Sequence, residues 1–450
     1  MKNLNFSSLV CALVIGILAY SNFNIARWNK LNVIDWDVIG FYAYLPATFI
    51  HHDYRLEFLR GHPEYGTERK FWPQTAPNGA LVHKPTMGMA LLYAPFFVLA
   101  HLHTQAAGLA PDGFTIYYHQ YIHLSALFYL AFGLILLRRT LLRWFSDEAV
   151  ATSILATGLG TNLFFYATTE AAMSHAYTFS LCAALLYLVS KGHSDLRWKN
   201  SALAGICLGL MTLIRPVNAL FVLFPLLYGM QRMADATERL HWLRRNWPHA
   251  LLFAGFAATV QLPQLLYWKS LTGQWLFYSY LDEGFFFLKP KMLQGVFSFR
   301  NGWLIYTPIM AFAIVGTYFR NVSKHPFSLA SKIFIPIYLY VVFSWWCWWY
   351  VGFGNRAMID SYAVLAFPMA AVSEQLLARS RPVRRIWCLV VVLAIALNGF
   401  QTLQYRYGLV HFDGMNARAY LASFGRLTYT DAYKQAIRSP DYERAKRGEE

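Results

Sequence analysis

Charge is what this sequence holds least of: Asp, Glu, Lys and Arg make up 14% of its 450 residues, against 57% apolar and 18% aromatic residues. A soluble domain carries about 25% charge, and a disordered chain is poor in aromatics, so both classes are excluded. Cysteine is sparse too. Cys11, Cys182, Cys207, Cys347 and Cys388 all lie inside apolar runs with no CxxC pair, which makes them packing residues and says nothing of redox compartment. Heptads, low-complexity tracts and short-period repeats are missing. The net charge of +16 has no single basic cluster behind it, because Lys and Arg punctuate the apolar runs. No nucleic acid is therefore expected as a partner.

What the sequence has in abundance is long apolar runs, such as Phe6 to Tyr20, Ala149 to Tyr166 and Ile386 to Leu403, suited to a hydrocarbon core of about 30 Å. The first run leads through Ser21, Asn22 and Phe23 into Arg27 and Trp28 without a small-residue cleavage pattern, so it reads as a retained span. Placing spans at 5–24, 117–137, 149–166, 172–190, 200–214, 216–229, 250–268, 302–319, 331–348, 359–377 and 386–403 predicts an all-α polytopic membrane protein with about 11 transmembrane helices. Membrane lipids are then the first expected partner.

The connections between these runs alternate in charge. One set holds Arg138, Arg139, Arg143, Lys191, Arg197, Lys199, Arg232, Arg239, Arg244, Arg245, Arg320, Lys324, Lys332, Arg379, Arg381, Arg384 and Arg385. The other short connections hold only Arg215, Lys269, Lys289, Lys291, Arg300 and Arg356. The positive-inside rule puts the first set in the cytoplasm, with the amino terminus inside and the carboxyl tail outside. The run from Thr86 to His103 would reverse that pattern if it crossed, so it is expected as a re-entrant or juxtamembrane helix. The resulting division is a membrane domain over 1–403, with 25–116 as its first outer loop, and an outer tail over 404–450.

Ionisable residues collect on the side away from the cytoplasm. The first outer loop carries Asp35-Trp36-Asp37, followed by Gly40, Phe41, Tyr42 and Tyr44. Such a pair of acids can activate a hydroxyl or hold a divalent cation, and can equally be solvated charge. Further on come His83-Lys84-Pro85-Thr86. Lys84 stands where an apolar helix begins and suits either a phosphate headgroup or a snorkelling anchor. Glu170 and His175 fall in a short turn at membrane depth, where ionisable groups are costly.

Arg215 precedes Pro216 in a turn almost free of polar residues, Arg300 closes another outer loop, and Arg356 and Asp360 are spaced to pair with each other. Cations kept on the side that the charge rule disfavours suggest a bound anion. Trp345, Trp346, Trp348 and Trp349 read as an interfacial belt or a ligand platform.

Together, the acidic pair in the first outer loop, the Lys84-Pro85 motif before a helix, the acid Glu170 in the second outer loop and the odd span number resemble the GT-C superfamily of membrane glycosyltransferases. That superfamily includes protein O-mannosyltransferases, lipid A aminoarabinose transferases and RgtA-like transferases. The resemblance covers roughly residues 5 to 375, with motif support at Asp35 to Pro46, Val82 to Leu92 and Gly352 to Asp360. It implies a GT-C-like fold in the bacterial inner membrane and an inverting transfer of sugar at the periplasmic face. The donor would be a polyprenyl-phosphate sugar and the acceptor a glycan, lipid or protein.

By the same resemblance Asp37 or Asp35 is the base, with Glu170 the second acid. Lys84, His83, Arg215, Arg356 and Arg300 would bind donor phosphate, while Trp36, Phe41, Tyr42, Tyr44 and His175 would line the sugar or acceptor pocket. A divalent cation on Asp35 and Asp37 stays open. The chain departs from the family pattern in the Trp36 between its two aspartates, in Thr86 where a second proline is usual, and in Glu170 where Asp is usual. Competing readings are a transporter or flippase for a lipid-linked or anionic substrate, which would show pseudo-symmetric halves, and an inactive membrane scaffold.

Overall fold

The apolar runs are built mainly of helix, whole or in pieces, because a run that leaves water must satisfy its backbone groups internally. The computed structural model describes residues 5–319, 322 and 325–449. Arg320 and Lys324 of the basic set lie outside the described residues.

The helices Phe6–Ile25, Gly88–Ala106, Ile116–Leu141, Asp147–Leu159, Ser174–Ser194, Trp198–Ile214, Trp247–Thr259, Ser328–Val342, Tyr362–Leu377 and Arg381–Arg406 form the body. Ile116–Leu141 packs on Ser174–Ser194, which packs in turn on Trp198–Ile214; Tyr362–Leu377 packs on Asp147–Leu159. A short antiparallel hairpin pairs Gln74 with Val82 and Thr75 with Leu81, and delivers the chain directly into His83 and Lys84. The segment after residue 404 is not splayed away: Val410, Met415, Ala419 and Tyr433 are buried in the main core.

Four helical stretches are long and apolar enough to cross a membrane: Phe6–Lys30, Ile116–Leu141, Trp247–Thr272 and Arg381–Arg406. At 1.5 Å per residue a stretch of 26 residues reaches about 39 Å, beyond the hydrocarbon thickness. They make the chain a membrane-associated protein, and they correct the expectation of about 11 transmembrane helices. The remaining runs are apolar for a different reason.

Asp147–Leu159 has 13 residues, about 20 Å of helix, and Ala149, Val150, Ala151, Ile154 and Ala156 are buried inside the protein. Tyr362–Leu377 has Tyr362 through Ser373 buried likewise. The run 216–229 breaks into the 3-10 helix Pro216–Val222 and the short helix Leu223–Leu227, and 302–319 breaks into Trp303–Tyr306 and Met310–Gly316. Pro216 opens the first of these, and Pro308 lies between the last two, where a missing N–H interrupts a continuous helix. Thr86 to His103, expected as a re-entrant or juxtamembrane piece, is one helix, Gly88–Ala106, packed along Ile116–Leu141.

Candidate functional site

The site is assembled from turns at the ends of these helices. Asp37 is the first residue of the helix Asp37–Tyr42, and Trp36 before it takes φ +50. From the other end of the chain, Arg356 opens the 3-10 helix Arg356–Ser361. Its loop is shaped by Gly352, whose φ is +135 and whose missing side chain leaves room for the Tyr166 hydroxyl. That hydroxyl accepts from the Phe353 amide at 2.9 Å, and the Gly352 amide donates to the Phe412 carbonyl at 3.0 Å. So held, the Arg356 guanidinium reaches Asp37, Nη2 to Oδ2 at 2.7 Å, while its Nη1 lies 3.9 Å from the Met173 sulfur. Arg356 is largely covered and Asp37 is half-exposed.

Lys84 and Arg215 are brought near by a close approach of two helix ends. A Cβ on Gly88 would fall 2.6 Å from the Ile214 amide nitrogen, so only glycine lets the helix Gly88–Ala106 begin against the end of Trp198–Ile214. The Thr86 hydroxyl donates to the Leu213 carbonyl across the same junction. Lys84 pairs with Glu283 and lies 5.3 Å from the Tyr280 ring centroid.

Arg215 faces a fully buried pair: His175 Nδ1 is 3.1 Å from Asp360 Oδ1, and Arg215 reaches His175 Nε2 at 3.4 Å and Asp360 Oδ2 at 3.7 Å. Because a guanidinium only donates, neutral His175 accepts at Nε2 and donates from Nδ1 to Asp360. Arg356 and Asp360, spaced to pair with each other, take different partners.

The charges interact across the cluster. Burial acts to raise the Asp37 carboxyl, but the Arg356 guanidinium, helped by Arg215 and Lys84, holds it below the usual carboxylate value. Burial lifts Glu170 above its ordinary value, against the pull of Arg27 and Arg356 and with the push of Asp37. Burial likewise pushes Asp360 up to about 7, against the pull of Arg215. The cluster therefore combines a half-exposed ionised carboxylate, Asp37, two more basic carboxylates, Glu170 and Asp360, and three cations.

Other singled-out residues lie apart from it. Asp35 pairs with Lys70 at 3.1 Å, and Lys70 also sits 4.3 Å from the ring centroid of the exposed Trp36. His83 is buried, stacked on Tyr44 with centroids 3.7 Å apart, and burial drives it down to about 3, so it brings no positive charge to a phosphate. Tyr42 is buried with its hydroxyl on the Gly113 carbonyl, and the Tyr44 hydroxyl donates to the Pro85 carbonyl at 2.9 Å. Arg300 lies over Trp349, 5.6 Å from the ring centroid, and reaches the Arg438 carbonyl.

A cation bridging Asp35 and Asp37 does not fit these residues. Each aspartate is engaged by a different side-chain cation, and no group of three His, Cys, Asp or Glu side chains gathers as a metal site among the described residues. Glu283 and the buried His175–Asp360 pair are the features that sequence reading missed; the adjacent acids Asp282 and Glu283 in the connection after Lys269 were the available signal for the first.

No family model matches the sequence, and no curated protein matches it. Among solved structures, the chain is similar to the archaeal oligosaccharyltransferase AglB from Archaeoglobus fulgidus in complex with an inhibitory peptide and a dolichol-phosphate. The TM-score is 0.45 at 14% identity, covering 96% of this chain and 60% of that one. The crystal structure of the Archaeoglobus fulgidus oligosaccharyltransferase in the apo form gives a TM-score of 0.45 at 12% identity, covering 98% and 62%. The chain thus spans about three fifths of the length of these structures.

Proposed function

We propose that this chain is a membrane glycosyltransferase of the GT-C type. It moves a sugar from a polyprenyl-phosphate donor to a glycan, lipid or protein acceptor, at the periplasmic face of a bacterial inner membrane as the sequence resemblance implies. The observation that carries this reading is the contact of Asp37 with Arg356 within electrostatic reach of Arg215, Lys84 and Glu170, residues from five separate stretches of chain.

Asp37 takes the proton of the acceptor hydroxyl, and the freed oxygen attacks the anomeric carbon from the face opposite the phosphate. The bond from that carbon to the phosphate oxygen breaks with its electron pair left on phosphate, so the configuration inverts. Lys84 and Arg215 receive the charge that develops there. Arg356 keeps Asp37 ionised and oriented, and Glu170 is the second acid, beside the sugar.

The test compares the envelope glycans and lipids of cells carrying the native chain with those of cells carrying Asp37→Asn, at equal amounts of protein in the membrane. A sugar present in the first and missing from the second names reaction and acceptor together. Identical glycans and lipids in both would remove the basis of the reading.

A further inference from the structure

The connection after the helix Leu262–Thr272 exposes an unusual amount of apolar surface. Trp275, Leu276, Tyr278, Leu281, Phe285 and Phe287 are all exposed, and Leu288 is 98% exposed. A soluble surface does not ordinarily present so continuous an apolar stretch.

Nor is the exposure that of a loose loop. The Phe286 amide donates to the Ser344 carbonyl at 2.6 Å, the Trp346 amide to the Gly284 carbonyl at 3.0 Å, and the Lys291 amide to the Phe343 carbonyl at 2.8 Å. The Tyr340 hydroxyl donates to the Phe287 carbonyl at 2.7 Å, and the rings of Phe285 and Phe287 stack with centroids 5.3 Å apart. The backbone from 284 to 291 is thus fixed against the end of the helix Ser328–Val342, with Leu288 held outward at its tip.

Two observations say what covers this tip. It belongs to the connection that leaves Trp247–Thr272, one of the four stretches able to cross a membrane. Its charge is also one-sided. The acids of the connection are taken, Asp282 by Lys446 at 2.9 Å and Glu283 by Lys84, whereas Lys289 and Lys291 make no ion pair among the described residues.

We infer that the tip at 285–291 enters the bilayer interface beside the helix Trp247–Thr272, with Phe287 and Leu288 among the lipid chains and Lys289 and Lys291 against anionic headgroups. An apolar tip flanked by lysines is the composition that interfacial membrane contacts use, and acidic lipid supplies the opposite charge. This assignment is independent of the proposed reaction.

The test uses the full chain reconstituted in phosphatidylcholine vesicles with and without phosphatidylglycerol. Leu288→Cys carries a bimane label in a Cys388→Ser background, since Cys388 is the exposed cysteine and the other four are buried. The label is expected to lose most of its fluorescence to a lipid-borne nitroxide and little to aqueous iodide. The loss should be larger with phosphatidylglycerol, and Lys289→Glu with Lys291→Glu should cancel that increment. Quenching by iodide instead of nitroxide overturns the insertion, and so does shielding from both, which would mean protein covers the tip. Equal quenching in the two vesicle types overturns the headgroup assignment.

Discussion

Asp37 and Arg356 lie 319 positions apart in the chain and meet at 2.7 Å, Oδ2 to Nη2. Asp37 opens a helix and Arg356 a 3-10 helix, and the Arg356 turn is held by contacts that involve neither residue: the Tyr166 hydroxyl under Gly352 and the Gly352 amide on the Phe412 carbonyl. Replacing Asp37 by Asn is expected to slow sugar transfer by about 10²- to 10⁴-fold, the usual worth of a general base, with membrane levels unchanged. Arg356→Ala should release the Asp37 carboxyl upward. The acid limb of the pH profile of kcat/KM would then move to higher pH, and an unmoved limb would separate Arg356 from the acid that matters.

Lys84 is held by Glu283, so under the proposed function a donor phosphate would compete with that carboxylate. Glu283→Gln is expected to lower the donor KM, and Lys84→Ala to raise it. Steady-state kinetics with the lipid-linked donor check both. A raised KM in Glu283→Gln would make Glu283 a support for Lys84 rather than a competitor.

The buried Asp360 gives a pH signature in stability. Its carboxyl is raised from an ordinary 3.8 to about 7, so between those values the folded chain binds a proton that the unfolded chain has released. Stability from this group is full below about 4 and falls as pH rises to about 7. Thermal melts of the native chain and Asp360→Asn, compared across that range, should show the native losing ground to the variant as pH rises. Parallel melts would mean that Asp360 is already ionised throughout, with His175 and Arg215 carrying its charge.

Gly88→Val tests the junction that brings Lys84 toward Arg215. The added side chain would press on the backbone at Leu213 and Ile214, a clash expected to cost about 1–3 kcal/mol. A lowered melting temperature with a raised donor KM is the expected pair of results. A normal melt and normal KM would show that the two helix ends separate freely.

Much of the local structure was legible in the sequence. The apolar runs are built of helix, Arg215 falls at the break between two helices and Glu170 in the turn between two others, whereas His175 lies in the first turn of Ser174–Ser194. The number of crossings was not legible. Ala149 to Tyr166 and Ile359 to Leu377 are as apolar as a membrane span, yet their helices face other helices and are buried in protein.

Pairing was equally hidden. Asp35 and Asp37 are two residues apart but go to Lys70 and Arg356, and Arg356 and Asp360 share one turn but go to Asp37 and His175. Spacing along a chain says which side chains can share a face, and the neighbours across the fold decide which charge each one meets.

Composition by itself determined that this chain withdraws long stretches from water, that those stretches coil, and that its few ionisable residues gather in the turns between them. Only the tertiary structure decided which withdrawn stretches rest against protein and which are left for lipid, and which acid meets which cation. The physical reason is that expulsion from water is indifferent to what receives an apolar surface, whereas an ion pair depends on a few ångströms set by helices distant in sequence.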